Sequence, residues 1–246
     1  MATAPAADQR RLLDVQALDT RLDQLAHRRR TLPELARLTE LDGQLGDLHT
    51  ALVTSQTAVG DLRRELTKAE ADVEQVRARA ARDQQRLDAG QGSAKDLQAF
   101  QHELESLARR QGELEEVELE VMERLEAHET ALAEVTTAHD ALLAQRTEVE
   151  AQRDTAFAQL DAEAAQVAAE RATAVAGLDA GLVTLYERLR GQLGGLGAAE
   201  LRGNRCEGCR LELNPLDLDA IRTTSQDTVV RCEECGRILV RQPTAA

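Results

Sequence analysis

The four cysteines of this 246-residue chain lie close to its C-terminus in two Cys-x-x-Cys pairs, separated by 22 residues. Two residues between thiolates allow one tight turn to present both sulfurs to one metal ion, and two such turns complete a tetrahedron. Four soft thiolates leave no open coordination position and favour zinc held for structure, with iron and disulfide pairing as the alternatives. The predicted ligands of one structural Zn²⁺ ion are Cys206, Cys209, Cys232 and Cys235.

The residues around these cysteines predict a zinc ribbon over 204–242. Runs at 228–231 and 236–241 favour short β-strands, and Asn214 before Pro215 predicts a capped short helix between them. A module of this size cannot fold on hydrophobic burial alone. Zinc binding, worth about 10–16 kcal/mol in zinc-finger peptides, is therefore expected to supply its folding free energy.

Four arginines flank the cysteines and could contact a phosphate backbone or a protein partner. They are Arg205, Arg210, Arg231 and Arg237. The alternative is charge compensation, because a zinc ion with four thiolates carries a net negative charge that nearby cations offset. No aromatic residue follows Tyr186 to stack on a base, which counts against nucleic-acid binding by the ribbon.

Most of the remaining chain carries apolar residues in alternating steps of three and four. One such seam runs from Leu38 to Leu87 and a second from Leu97 to Leu160. This spacing is typical of coiled coils, because a 3.5-residue repeat keeps one stripe facing a partner helix. Gly90 suits the end of a helix and Ser93 suits the start of the next. Residues 8–190 are therefore predicted to form a long antiparallel coiled-coil hairpin.

The hairpin is expected to turn at about 88–94 and to kink near Pro33, because proline interrupts a helix. A flexible linker or hinge is predicted over 191–203 from the four glycines at 191, 194, 195 and 197. A phosphate-binding loop is the alternative for this stretch, but a preceding strand and a following Lys-Ser/Thr are missing. Residues 1–7 are expected to form a disordered tail, and 243–246 a second tail.

The composition favours a mainly α protein and disfavours an enzyme. One Tyr, two Phe and no Trp cannot fill a large globular core, and no arrangement of nucleophile, base and orienting group is visible. No segment has the roughly 18 uninterrupted apolar residues of a membrane span, and Met1 to Asp8 lacks the features of a signal peptide. These patterns predict a cytoplasmic, non-enzymatic protein without membrane contact.

The formal net charge of −14 lies entirely in residues 1–201, because residues 202–246 contain seven arginines and seven acidic residues. An acidic surface repels nucleic acid and favours protein partners with basic patches. We therefore expect an adaptor, scaffold or chaperone-like regulator, present as a monomer or homodimer, that binds protein partners through the coiled coil, the ribbon or both. A nucleic-acid-binding regulator acting through the ribbon, on RNA or DNA, is the alternative.

These features together resemble the bacterial coiled-coil proteins with a C-terminal C4-type zinc ribbon. The resemblance covers essentially the whole chain, including Leu32-Pro33-Glu34 and the segment 95–103, and Cys-Glu-Glu-Cys-Gly-Arg-Ile-Leu-Val at 232–240 is its most specific part. It implies a non-enzymatic protein. Members of that family are linked to flagellar or type III secretion systems, to an alternative sigma factor and, in one branch, to RNA. Only the four cysteines carry over residue by residue.

Overall fold

The computed structural model describes residues 2–242, which form five helices and four short strands. The helices are α1 (Ala6–Arg30), α2 (Pro33–Asp88), α3 (Ala94–Val175), α4 (Ala180–Gln192) and α5 (Pro215–Thr223). The strands are β1 (Ala198–Arg202), β2 (Arg205–Cys206), β3 (Val230–Arg231) and β4 (Ile238–Arg241). The predicted fold class, a long helical hairpin followed by a small ribbon that contains strands and one helix, is confirmed. No helix in this part of the chain is long and apolar enough to cross a membrane.

The chain divides into two compact units. One unit is Ala36–Glu150, and the other combines the residues up to Leu35 with those from Ala151 onward. The break between α1 and α2 follows from local chemistry: the Thr31 hydroxyl donates to the His27 carbonyl at 3.0 Å. Pro33 then begins α2, where its missing N–H would have had no helical partner in any case.

The unit Ala36–Glu150 is an antiparallel pair formed by α2 and the first part of α3. Its seam buries Leu41, Val73 and Val121 to an exposure of 2% or less. Arginine–carboxylate pairs cross between the helices, namely Arg63–Glu129, Arg77–Glu115, Arg79–Glu103, Arg124–Glu65 and Arg146–Asp42. Such exposed pairs stabilise little, but they favour one alignment of the two helices.

The turn between α2 and α3 lies at residues 89–93. Gly90 has a φ of 63°, a left-handed conformation that glycine adopts at little cost. Ser93 and Asp96 then cap α3 reciprocally: the Ser93 N–H donates to Asp96 at 2.8 Å, and the Asp96 N–H donates to the Ser93 hydroxyl at 3.3 Å. The hydrogen bonds from Ser93 hold the pKa of Asp96 below its usual value.

The second unit contains the ribbon and the helices that pack on it. Its main core joins Leu12 and Val15 of α1 to Leu182 and Tyr186 of α4 and to Ile238 of β4. The four strands form one sheet in the order β2-β1-β4-β3. The central pair, β1 and β4, is parallel, and both outer pairs are antiparallel. The ribbon therefore shares a hydrophobic core with α1 and α4.

This shared core contradicts the expected flexible linker over 191–203. Gly195 ends α4 by donating its N–H to the Arg190 carbonyl at 2.9 Å, with a φ of 95°. A Cβ on Gly197 would lie 2.8 Å from the Tyr186 carbonyl oxygen, so that glycine allows close packing. Residues 198–202 are β1, paired with β4. The glycines build a fixed turn here, and the ribbon begins at Ala198 instead of at 204.

The expected disordered tail over 1–7 is also wrong for residues 2–7. The Ala4 N–H donates to the Asp227 carbonyl at 2.8 Å, and the Val229 N–H donates to the Ala2 carbonyl at 2.9 Å. Thr3 thereby forms an antiparallel bridge with Thr228. Ala4 is buried in the main core, and α1 begins at Ala6. Met1 and the predicted tail at 243–246 lie outside the described residues.

Candidate metal centre

Two tight turns present the cysteines, and both turns have the same backbone geometry. In the first, the Arg210 N–H donates to the Cys206 carbonyl at 2.7 Å; in the second, the Gly236 N–H donates to the Cys232 carbonyl at 2.8 Å. Each donor is the fourth residue after the first cysteine of its pair. Both donors have left-handed backbones, with φ of 64° at Arg210 and 73° at Gly236.

The repetition extends one residue further along each turn. The Cys206 N–H donates to the Leu211 carbonyl at 3.0 Å, and the Cys232 N–H donates to the Arg237 carbonyl at 2.9 Å. Gly208, inside the first turn, has no room for a side chain, because a Cβ there would lie 2.9 Å from the Cβ of Ala199 in β1. The two turns are thus equivalent knuckles held by backbone hydrogen bonds.

The sulfur atoms of the two knuckles meet in one compact cluster. The distance is 3.9 Å both from Cys206 Sγ to Cys235 Sγ and from Cys209 Sγ to Cys232 Sγ. All four sulfurs lie within 4.8 Å of one another, and no disulfide joins them. A tetrahedron with zinc–sulfur bonds of about 2.3 Å has edges of roughly 3.8 Å. The sulfur positions therefore fit one zinc ion.

The protein around the sulfurs excludes water from part of the cluster. Cys206 is fully buried and Cys232 is 2% exposed, with Leu213, Leu218 and Leu239 in the same apolar cluster. The helix that carries Leu218 begins as predicted, since the Asn214 side chain accepts the Leu216 N–H at 2.9 Å. Cys209 and Cys235 are partly exposed, but four thiolate ligands fill a tetrahedral zinc site and leave no coordination position for a substrate or an activated water.

The environment of the thiols is asymmetric before any metal charge is considered. Burial raises the pKa of the Cys232 thiol to about 12. At Cys235 burial also acts to raise the pKa, but hydrogen bonds from the backbone and side chain of Arg237 outweigh it and lower the pKa to about 7. A zinc ion favours the thiolate form at every ligand. Arg237 therefore supports the negative charge of the occupied site.

The four flanking arginines have different environments. The Arg231 Nε donates to the Gly236 carbonyl at 2.7 Å, and the Arg237 Nε donates to the Leu196 carbonyl at 2.9 Å. Both side chains thus brace the knuckle and the turn after α4. Arg205 and Arg210 are exposed, and within residues 2–242 neither side chain forms a hydrogen bond or an ion pair. The predicted quartet therefore comprises two arginines that donate to backbone carbonyls, of which Arg231 is itself exposed, and two exposed arginines without such contacts among the described residues.

Arg241 is a structural centre that sequence reasoning missed. Its guanidinium is buried and donates to five backbone carbonyls in the last turn of α5 and the loop before β3, those of Ile221, Thr224, Ser225, Gln226 and Thr228. Burial lowers its pKa. No local pattern marks this role, because an arginine that ends a β-prone run normally points to solvent. The same loop receives the N-terminal residues through Asp227, so Arg241 supports both.

A second polar centre ties three helices together in the same unit. Asp19 of α1 is 2% exposed and accepts the Tyr186 hydroxyl at 2.7 Å and the Arg171 Nε at 2.5 Å. Arg171 also pairs with Glu187, and Arg190 lies 3.7 Å from the Asp19 carboxylate. Burial and the adjacent Asp19 raise the pKa of Tyr186. The network holds α4 against α1 and α3, directly before the ribbon.

The fold and site together define a coiled-coil hairpin protein with a structural C4 zinc ribbon, and comparison with known proteins supports this class. A CT398-like coiled coil hairpin domain matches residues 15–194, and a C4-type zinc ribbon domain matches residues 205–239. The chain belongs to the family of CT398-like coiled-coil hairpin proteins. The ribbon carries one structural Zn²⁺ ion.

The relatives found by these comparisons are bacterial. An uncharacterized protein of Mycobacterium tuberculosis is 37% identical over 238 residues, which cover 97% of each chain. An uncharacterized protein of Mycobacterium leprae is 30% identical over 221 residues, covering 90% of this chain and 95% of that one.

Two solved structures share the fold. A protein from Mycobacterium smegmatis is 39% identical, with a TM-score of 0.87 over 98% of this chain and 100% of that chain. CT398 from Chlamydia trachomatis is 18% identical, with a TM-score of 0.70 over 96% of this chain and 98% of that chain. At that identity, the likeness to CT398 concerns the fold alone.

Proposed function

We propose that this protein is a non-enzymatic adaptor or scaffold, a chaperone-like regulator that binds protein partners. In this proposal the zinc ligands are the four clustered cysteines, Cys206, Cys209, Cys232 and Cys235. The observation that carries it is the closed four-sulfur site in a ribbon that packs on α1 and α4, together with the charged surface of the separate unit Ala36–Glu150. A coiled-coil hairpin with a zinc ribbon fits a scaffold or regulator role.

The chemistry of the site supports a structural metal. Catalytic zinc normally keeps one position for water or substrate, and four thiolates occupy all of them. An oxidising compartment favours disulfides over four free thiolates, whereas a reducing one favours metal ligation. We therefore propose that the protein acts in the cytoplasm. The metal would then stabilise the ribbon and would take no part in a reaction.

The charge of the hairpin supports protein partners. The unit Ala36–Glu150 contains 25 acidic and 13 basic side chains, a net charge of −12. Such a surface attracts cationic proteins and repels polyanions over a distance of about 8–10 Å in physiological salt. The hairpin is therefore suited to basic segments of other proteins.

Crosslinking mass spectrometry of the full-length protein in its source cells tests the proposal. We expect reproducible crosslinks to a small set of proteins, in amounts that stay the same after nuclease treatment. A partner set that disappears with nuclease treatment, or the recovery of no reproducible partner, would contradict it.

A second candidate function is nucleic-acid binding by the ribbon, and one observation favours it. Arg205 and Arg210 are exposed on the first knuckle and are not engaged by other described residues, whereas Arg231 and Arg237 donate to backbone carbonyls. Binding should then weaken steeply with salt and be lost in Arg205→Gln/Arg210→Gln. Arg222→Gln, on the exposed side of α5, is the matched control. No binding to RNA or DNA in about 50 mM salt would exclude this function.

A further inference from the structure

The most acidic part of the unit Ala36–Glu150 is the segment 113–134 of α3, which contains nine glutamates and one arginine. Several of these glutamates are committed to ion pairs, for example Glu115 with Arg77 and Glu129 with Arg63. Four others are exposed and have no side-chain hydrogen bond or ion pair within the described part of the chain. They are Glu116, Glu120, Glu123 and Glu126.

Two large apolar side chains lie among these carboxylates. Leu119 is 56% exposed and Met122 is 48% exposed. They are three residues apart on one helix and are therefore neighbours on its surface. Glu116 and Glu123 lie three and four residues from Leu119, so they flank it on the same face. Val121, which is 2% exposed, points the opposite way into the seam. We call the face of Leu119, Met122 and the four glutamates the α3 outer face.

An exposed leucine alone is ordinary on a protein surface, but its combination with unpaired carboxylates is informative. Like charges three or four residues apart on a helix repel one another. A partner that brings lysine or arginine to the rim and apolar side chains to the centre would relieve that repulsion and bury Leu119 and Met122. An apolar centre with a polar rim is the usual organisation of a protein interface.

We propose that the α3 outer face is a docking surface for a cationic amphipathic helix of a protein partner. The inference rests on the proposed adaptor function and specifies where and by what chemistry the hairpin binds. Charge complementarity carries it: four exposed carboxylates without a partner among the described residues lie beside two half-exposed apolar side chains, and a helix with cations beside an apolar stripe matches both. A nucleic acid or an anionic membrane would meet only repulsion on this face.

The test uses the full-length zinc-loaded protein and a synthetic peptide of Lys and Leu, about five helical turns long, arranged with helical periodicity. A second peptide has the same composition in scrambled order. Fluorescence anisotropy of the labelled peptides should show at least about tenfold tighter binding of the periodic peptide, because only that peptide places both apolar and cationic groups on one face. Equal binding of the two peptides would overturn the proposal.

Two variants and their controls locate the surface. Leu119→Gln/Met122→Gln should weaken binding of the periodic peptide by about tenfold, since it removes the apolar centre. The control Val53→Gln/Leu143→Gln, which alters residues exposed to 48% and 45% elsewhere in the same unit, should bind like the parent protein. Equal losses in both double variants would refute the assignment to this face.

The charge is tested in the same way. A triple Glu→Gln change at Glu116, Glu120 and Glu123 should weaken binding and reduce its salt dependence, whereas the control Asp14→Asn/Asp47→Asn/Glu134→Gln should have a smaller effect. Analytical ultracentrifugation tests whether a second copy of this chain occupies the α3 outer face. If the parent protein forms a dimer that Leu119→Gln/Met122→Gln abolishes, the face is a contact between two copies of this chain and the proposal is wrong. The adaptor function would survive each of these failures, because crosslinking in cells tests it independently.

Discussion

Replacement of Arg241 by methionine should destabilise the ribbon strongly while leaving its apolar packing nearly unchanged. The arginine donates to five backbone carbonyls at 2.8–3.1 Å. Methionine is similar in length but donates nothing, so those carbonyls lose their shared cation. Arg241→Lys keeps the charge but offers three donors on a single atom, which cannot reach all five carbonyls.

The size of the effect follows from which of these bonds are buried. A hydrogen bond to a charged group contributes about 1.5–3 kcal/mol, but only the bond to the Ile221 carbonyl is fully buried, and the other four are partly buried. The other carbonyls lie closer to solvent and can recover water after the substitution. Burying the guanidinium also has a desolvation cost that the variant avoids. We therefore expect a loss of about 3 kcal/mol for Arg241→Met and about 1–2 kcal/mol for Arg241→Lys.

The chain provides its own probe for this measurement. Tyr186 is the only tyrosine, no tryptophan is present, and its ring is fully buried in the core that the ribbon shares with α1 and α4. Urea unfolding followed by tyrosine fluorescence reports the free energy of this unit. The control is Arg222→Met on the exposed side of α5, with an expected change within about 0.5 kcal/mol. An equally small change for Arg241→Met would refute the proposed role of the guanidinium.

Three further substitutions test other contacts in the same unit. Arg210→Gly should raise the melting temperature of the zinc-loaded protein above that of the parent, because the φ of 64° at this position favours glycine. Its free energy of unfolding should exceed that of Arg210→Ala by about 1 kcal/mol. A melting temperature below that of the parent would contradict this. Tyr186→Phe removes the hydroxyl bonded to buried Asp19 and should cost about 1–3 kcal/mol in thermal unfolding followed by circular dichroism, and no loss would show that water replaces it. Gly197→Ala should cost about 1–3 kcal/mol in the same assay, because its Cβ would meet the Tyr186 carbonyl at 2.8 Å; Gly191→Ala, with open space around its Cβ, is the control and should not destabilise.

The hairpin and the metal site could be predicted from the sequence because each depends on the spacing of residues that are close together in the chain. The repeat of three and four predicts the hairpin because consecutive seam residues are only three or four positions apart, so that the repeat is visible within one or two helical turns. The two Cys-x-x-Cys pairs mark the metal site for the same reason, since each knuckle is closed by hydrogen bonds spanning four residues, as from Gly236 to Cys232. Metal ligation then joins two local patterns.

The features that sequence analysis missed depend on contacts between distant residues. β1 lies in the glycine-rich stretch and pairs in parallel with β4, about 40 residues later. The bridge between Thr3 and Thr228 joins residues that lie 225 positions apart in the sequence. Neither partner has a pattern that identifies the other. Glycine content alone also does not distinguish a flexible linker from a tight turn. The distinction comes from the close packing of Gly197 against Tyr186, which only the folded structure shows.

The central claim is that one zinc ion held by four cysteines stabilises the fold of the ribbon. It is tested most directly by measuring zinc content together with tyrosine fluorescence and circular dichroism. Native mass spectrometry of the full-length protein should show one zinc ion per chain. Cys209→Ser/Cys232→Ser should abolish zinc binding and raise the exposure of Tyr186, while most of the helical circular-dichroism signal persists, because the unit Ala36–Glu150 contains none of these residues. Retention of zinc in this variant, a different metal in the parent protein, or a global loss of helix would contradict the account.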